Sequence, residues 1–288
     1  MQILDGKKVA ETVAEELRER IATLRTQNVE PTLAILVVGD DLRTQRYIAA
    51  KQRAAERLDI RVILIPIAPA TPTETTAVIQ QAITALNNKP EVHGIILQLP
   101  IPVAVDEQEL IDLIAPTKDV DGLTLTNQAA LELGRELFLP ATPQGILRLL
   151  SAYKIPIANQ RIAVVGQGKL VGKPVTAMLQ SRDADVVTAN SRTKDLKETI
   201  RGAAVVISAV GKKDLITEDM VDKTMALIDV GLSDVDGKLY GDITSTAKDK
   251  ALLATPVPGG IGPMTVISLL ANVVLAAELT ALRANTDD

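Results

Sequence analysis

RIAVVGQGKLVGKP, residues 161–174, runs from a β-branched apolar segment straight into three glycines and two lysines and ends in proline. A buried strand that hands a glycine loop to a helix can hold the phosphates of ATP, hold a dinucleotide, or simply turn. The ATP loop needs G-x-x-x-x-G-K-[ST]. Here Gln167 stands five before Gly172, and Lys173 is followed by Pro174, so the spacing and the magnesium-binding hydroxyl are both wrong. A dinucleotide fingerprint is G-x-G-x-x-G between strand and helix; Gly166, Gly168 and Gly172 are one residue longer than that rule. The context fits better than the spacing. Pro174 suits the first turn of a helix, where a missing N–H costs nothing, and amides at a helix start can face a pyrophosphate. A glycine turn with no ligand stays open at this level.

The next strand ends in Ala189-Asn190-Ser191-Arg192-Thr193, without the acid that binds a ribose 2′-hydroxyl. A hydroxyl and a guanidinium suit a 2′-phosphate instead, which favours NADP over NAD as the cofactor.

The rest of the 288-residue chain agrees with an α/β reading. Hydrophobic residues are 47% and aromatics 1%, with no Trp, so the core is Val, Ile, Leu and Ala. Such a composition suits parallel sheets covered by helices. With no Cys, disulfides, thiolate metal sites and cysteine nucleophiles are excluded. One histidine, His93, cannot make a multi-histidine metal site, so no metal is expected; it precedes a strand core and reads as structural. A net charge of −5, few aromatics and no basic stripe argue against nucleic acid. The start, MQILDGKK, lacks the apolar region of a signal peptide. Val266 to Leu282 is apolar but interrupted by Ser268, Asn272 and Glu278, which reads as a buried helix and not a membrane span. A soluble cytoplasmic protein is the expectation.

Hydrophobic periodicity predicts helix over 8–25, strand over 32–38, helix from Asp40-Asp41 to about 57, strand over 61–67, helix from Thr73 to about 86, strand over 92–99 and a short helix over 106–114. After the weakly periodic stretch 119–143 comes a helix from Thr142 to about 153, then strands over 161–166, 185–189, 204–209 and 226–230 with helices between. The alternation predicts two α/β domains with parallel sheets, the second Rossmann-like. The expected domains are 1–140 and 141–263, with a final helix over about 264–288 packing back on the first.

The first domain carries polar groups near its strand ends. Tyr47 and Lys51 lie four apart on one predicted helix and share a face. Gln98 ends a strand, Asp121 sits in the probable turn KDVDG, and TPVPGGIGPMT, residues 255–265, is rigid and glycine-rich. Each has an ordinary alternative: a solvated lysine, a tyrosine at the core margin, a strand end, a turn former, a loop cap. Spacing alone does not bring them together.

Taken jointly, Tyr47-x-x-x-Lys51, GIILQLP at 94–100, KDVDG at 118–122, PATP at 140–143 and residues 255–265 resemble the bifunctional methylenetetrahydrofolate dehydrogenase/cyclohydrolase family, along nearly the whole chain. The resemblance implies a folate cleft between the two domains and a homodimer through the NADP domain. It implies oxidation of 5,10-methylenetetrahydrofolate to the methenyl cation with NADP, then hydrolysis to 10-formyltetrahydrofolate. Lys51, tuned by Gln98, would move protons; Tyr47 would stack on or position the folate; Asp121 would bind the pterin edge. Leu99, Pro100, Pro258, Gly259 and Gly260 would line the substrate, the glycines letting backbone approach closely. Cofactor contacts implied by the same match are Thr142, Gly166, Gln167, Gly168, Val171, Gly172, Ser191, Arg192, Thr193, Ala209, Val210, Gly211, Gly231 and Thr265. Departures cluster in or beside the second domain. Gln167-Gly168 replaces the family's Arg-Ser, Ala189-Asn190 its Cys-His, and Ala141 its cysteine; near the catalytic helix Asp41-Leu42-Arg43-Thr44 replaces Asp-Pro-Ala-Ser. The folate side is intact, whereas the grip on NADP is expected to be weaker than is usual for the family. A cyclohydrolase with a decayed dehydrogenase, a non-catalytic folate or nucleotide binder, and an unrelated Rossmann dehydrogenase are the rival expectations.

Overall fold

The computed structural model describes residues 1–284. In chain order the elements are β1 (Gln2–Ile3), α1 (Gly6–Thr26), β2 (Thr32–Val38), α2 (Leu42–Glu56), β3 (Arg61–Ile67), α3 (Pro72–Asn87), β4 (Gly94–Leu97), α4 (Glu107–Ile111), α5 (Leu125–Glu132) and α6 (Ala141–Ala152). Then follow β5 (Arg161–Val165), α7 (Gly172–Gln180), β6 (Asp185–Ala189), α8 (Leu196–Ile200), β7 (Val205–Ser208), β8 (Ala226–Asp229), β9 (Ser233–Val235), β10 (Lys238–Tyr240), α9 (Ser245–Lys250), β11 (Leu253–Ala254) and α10 (Ile261–Ala284). The chain forms two compact units, one of residues 13–141 with 266 onward, the other of 1–12 with 142–265.

The unit of residues 13–141 holds a three-stranded parallel sheet ordered β3-β2-β4. β2 is central and buried along its whole length, so every residue of TLAILVV is spent on one core or the other. Ala34, Leu36 and Val38 pack with Ile95 and Leu97 of β4, Ile79 and Ile83 of α3 and Leu110 of α4. α3 starts one residue before the expected Thr73. Thr71 is the N-cap and Pro72 opens the helix, with Glu74 closing a capping box. Within this unit α10 is tied to α1 by the two-pronged Arg20–Glu278 pair, at 2.8 and 2.7 Å. It is long and apolar enough to cross a membrane, yet Leu270, Val273, Val274 and Ala277 are fully enclosed by protein. Asn272, one of its polar interruptions, donates to the carbonyls of Val120 and Leu139 at 2.8 and 2.9 Å. Residues 285–288 of the expected final helix lie outside the described residues.

The unit of residues 142–265 is a six-stranded parallel sheet ordered β1-β11-β8-β7-β5-β6. Its core gathers Ala163, Val165, Val206 and Leu227 from the strands with Ile200, Met225, Ile243 and Ala247. Residues 1–12 differ from the expected division: they belong with this sheet. β1 pairs with β11, the Gln2 and Leu4 amides donating to Leu252 and Ala254 at 2.9 Å, and Leu4 is fully buried. A two-residue strand leaves no periodicity to detect. α5, α9, β11 and the β9–β10 hairpin escaped for the same reason, each being short.

Candidate active site

α2 starts just past the carboxyl end of β2, where the Asp41 carboxylate accepts from the Thr44 amide at 3.0 Å. This places Tyr47 and Lys51 on successive turns above the sheet end. Gln98 follows β4, the strand beside β2, and its amide continues the ladder to Leu36 O at 2.9 Å. Its side-chain NH₂ is taken by Leu99 O at 2.8 Å, which turns Oε1 toward Lys51, and Lys51 Nζ donates to it at 2.9 Å. Leu99 is half-buried, Pro100 is exposed, and the peptide between them is cis.

Asp121 joins the pair through the 118–122 turn, which is anchored from both sides. Lys118 Nζ donates to the carbonyls of Leu86, Asn87 and Lys89, closing the end of α3. Buried Asp119 accepts from the amides of Leu123 and Thr124 and from Asn127 Nδ2, at 3.1, 2.8 and 2.8 Å. Gly122 takes φ +67°, backed by Phe138 and Pro140, so the turn needs glycine. The Asp119 carboxylate is therefore spent on holding the turn, whereas Asp121 feels the charge of Lys51. Burial holds the Lys51 ammonium below its ordinary pKa, opposed by the negative charge of Asp121. Burial raises the Asp121 carboxyl, opposed by Lys51 and reinforced by Asp119. An amine easily deprotonated, a carboxyl and an amide thus converge, and Tyr47, 39% exposed, offers a ring on the same helix. His93 is elsewhere: its Nδ1 accepts from the Thr32 amide at 3.1 Å inside the core.

In the other unit, the loops after β6, β5, β7 and β8 leave four adjacent strands at one sheet edge. Gly166 has φ +95°, and a Cβ there would sit 2.5 Å from Ala209 O. A Cβ on Gly172 would collide with the Gly166 carbonyl. Gly168 has open space around it. Val171 precedes α7 without a side-chain cap, leaving the helix start to its own amides. Pro174 falls at the third helical residue. Gln167 bends back onto Gly166 O and Thr176 Oγ1 at 3.2 and 3.3 Å. After β6, Asn190 accepts from the Arg192 amide at 2.9 Å and donates its own N–H to Thr193 Oγ1, a turn that exposes Ser191 and Arg192. Val210 is exposed and Gly211 has φ +78°. Gly231 lies against the buried Asp242 carboxylate. Thr142 and Thr265 share a 3.0 Å hydroxyl hydrogen bond. Pro258 follows a cis bond, Gly259 has φ +109°, and a Cβ on Gly260 would lie 2.7 Å from Pro256 O. Sequence reasoning passed over Asp119, Asp229, Asp242 and Asn272. Asp229 closes an apolar strand, Asp119 lies within KDVDG and Asn272 breaks the last apolar stretch, whereas Asp242 carried no signal.

Two family models match this chain. The tetrahydrofolate dehydrogenase/cyclohydrolase catalytic domain covers residues 4–121, and the NAD(P)-binding domain of the same name covers 140–281. The chain is 42% identical to the bifunctional protein FolD of Methanoculleus marisnigri over 99% of both chains. Its structure is similar to the bifunctional methylenetetrahydrofolate dehydrogenase/cyclohydrolase FolD of Campylobacter jejuni, with 36% identity and a TM-score of 0.92 over 97% of this chain and 99% of that one. It is also similar to the Trypanosoma brucei enzyme complexed with NADP and inhibitor, with 30% identity and a TM-score of 0.90 over 96% and 97% of the two chains.

Proposed function

The chain belongs to the tetrahydrofolate dehydrogenase/cyclohydrolase family, and on that premise we propose that it oxidises 5,10-methylenetetrahydrofolate with NADP and hydrolyses the resulting methenyl cation to 10-formyltetrahydrofolate. The observation that carries this reading is the Lys51–Gln98 hydrogen bond beside Asp121. The residues after β5–β8 fit a dinucleotide: glycines pack backbone against backbone and Gly168 leaves room, while the start of α7 has no side-chain cap and folds its Lys173 amide onto Gly168 O at 3.1 Å.

NADP, when bound, supplies the hydride acceptor. The residues that would hold it are Thr142, Gly166 to Gly168, Val171, Gly172, Ser191 to Thr193, Ala209 to Gly211, Gly231 and Thr265. The folate carbon that loses hydride lies between two nitrogens, whose lone pairs carry the cation, so Tyr47 and Asp121 need only orient the pterin, by stacking and by accepting from its N–H edge. Leu99 and Pro100, which follow Gln98, would add to the folate contacts. Hydration is where the protein must move protons. Water adds to the cation carbon and gives a proton to neutral Lys51. The carbinol hydroxyl then loses its proton as one carbon–nitrogen bond breaks. The departing nitrogen takes one proton from Lys51, and the other leaves to solvent. An amine lowered toward neutrality by burial can serve in both directions. Gln98 holds Nζ in place with its oxygen and cannot itself compete for the proton.

In this reading residues 13–141 carry the folate chemistry and 142–265 the cofactor, in a cytoplasmic homodimer whose charge balance gives nucleic acid no purchase. A second reading, a cyclohydrolase with a weakened dehydrogenase, is favoured by one feature. Gln167 spends its amide inside its own loop and Gly168 brings no side chain. Methylenetetrahydrofolate and NADP followed at the absorbance of reduced nicotinamide, beside the decay of methenyltetrahydrofolate, separates the two. Both signals are expected; decay alone supports the second reading, and neither defeats both.

A further inference from the structure

Asp242, which lies between β10 and α9 in the chain, is fully buried, and its carboxylate accepts three hydrogen bonds. Oδ2 takes the Ser208 hydroxyl at 2.7 Å and the Val210 amide at 2.8 Å, and Oδ1 takes the Lys212 amide at 2.8 Å. The three donors are the last residue of β7 and two residues of the loop that leaves it. A second buried carboxylate holds the first. Asp229, the last residue of β8, accepts from the amides of Asp242 and Ile243 at 2.8 and 3.3 Å and pairs with Lys248 Nζ at 2.6 Å. Its own amide is taken by Thr255 Oγ1 at 2.8 Å. Two glycines make the room. A Cβ on Gly231 would collide with the Asp242 carboxylate, and one on Gly241 with that of Asp229.

Two carboxylates out of water are costly unless their oxygens are satisfied, and when satisfied they fix the groups around them. Neither proton transfer nor folate recognition uses these two. We infer that Asp242, held by Asp229, is a positioning residue for the hydride-transfer half of the reaction: it fixes the 208–212 loop, and the place of Gly231, in the conformation that receives the dinucleotide. This rests on the reading that Ala209, Val210 and Gly211 contact NADP.

Asp242→Asn keeps the shape but supplies one acceptor oxygen, so at least one of the three donors is left facing an N–H. The expected result is a rise of about tenfold in the NADP KM and in the Kd of an NADPH fluorescence titration, the size of one charged hydrogen bond. Cyclohydrolase turnover, which needs no cofactor, should stay within about twofold on the same grounds. Ser208→Ala removes one donor, and Gly241→Ala presses on Asp229 without deleting any hydrogen-bonding group. Both should weaken NADP in the same direction, and they carry the test if Asp242→Asn does not fold. Unchanged NADP affinity, or a parallel loss of both activities with a lower unfolding midpoint, overturns the inference. A wild-type protein that does not bind NADPH defeats the functional reading beneath it instead.

Discussion

Lys51 donates from Nζ to Oε1 of Gln98 across 2.9 Å, joining a helix to the strand that ends beside it. The amide oxygen orients the amine without charging it, so Lys51 keeps the lowered pKa that burial gives it. Lys51→Gln should therefore cut hydration of methenyltetrahydrofolate by about 10²- to 10⁴-fold, the usual worth of a positioned acid–base group, while much of the folate affinity survives. Stopped-flow decay of the methenyl absorbance with a parallel binding titration checks this. Equal loss of binding and turnover would make Lys51 a structural residue.

The neighbours of Lys51 should move its pH profile in opposite directions. In the proposed reaction Lys51 acts as the neutral amine, so activity should rise with pH through its pKa. The Asp121 charge favours the ammonium form; Asp121→Asn removes that charge and should shift the rising limb to lower pH. Gln98→Glu adds a carboxylate at hydrogen-bond distance and should shift it to higher pH, by about one unit or more. Cyclohydrolase rates between pH 6 and about pH 10, the range bracketing a lowered lysine, would expose the idea as wrong if both variants moved the limb the same way.

The contrast between these groups and the rest shows what the sequence made legible. β2, β3 and β5 could be read because seven- and five-residue β-branched runs leave a clear pattern. Lys51, Gln98 and Asp121 stood out as polar groups near strand ends, but only resemblance brought them together, since a helix, a strand end and a turn spread over 70 positions of the chain meet solely in the fold. β1 and β11 were invisible because two residues carry no period, and β1 took residues 1–12 with it into the other unit. Asp242 was invisible because its value lies in three donors from 30 to 34 positions away.

His93 should make the protein acid-sensitive well above the carboxylate range. Burial, with the charge of Lys118, lowers its pKa to about 4 in the folded chain, against 6.5 when free. Between those values the unfolded chain binds the extra proton, so stability falls as pH drops through the window. At about pH 5 the loss amounts to about 2 kcal/mol for this one group. His93→Gln, which keeps an acceptor for the Thr32 amide, should shrink the difference between urea midpoints at about pH 7 and about pH 5. An undiminished difference would place the acid sensitivity elsewhere.

Cofactor choice should rest on Arg192 more than on the glycine loop. Arg192 is exposed on a turn fixed by Asn190, whereas the uncharged Gln167 is tied to its own loop. Arg192→Ala should raise the NADP KM by about tenfold through loss of a charge-assisted contact to the 2′-phosphate and leave the NAD KM nearly unchanged. Gln167→Arg should tighten NADP, since wild-type binding is expected to be weaker than is usual in the family. Titration of both cofactors decides: tight wild-type NADP binding would contradict the Gln167 expectation, and an equal rise in both KM values for Arg192→Ala would contradict the Arg192 one.

The three glycines of the loop should separate by function. At Gly172 a Cβ would strike the Gly166 carbonyl, an atom of backbone that cannot rotate away. Gly172→Ala must move the loop or the start of α7, at a cost of about 1–3 kcal/mol, and should weaken NADP with it. At Gly168 a Cβ meets open space, so Gly168→Ala should leave the unfolding free energy from urea titration within about 0.5 kcal/mol of wild type, as for surface changes elsewhere. A side chain there costs folding nothing, so any rise in the NADP KM of Gly168→Ala reports crowding against the bound cofactor. Equal destabilisation by the two alanines would mean that the loop is held by its ends and not by the Gly166–Gly172 backbone contact.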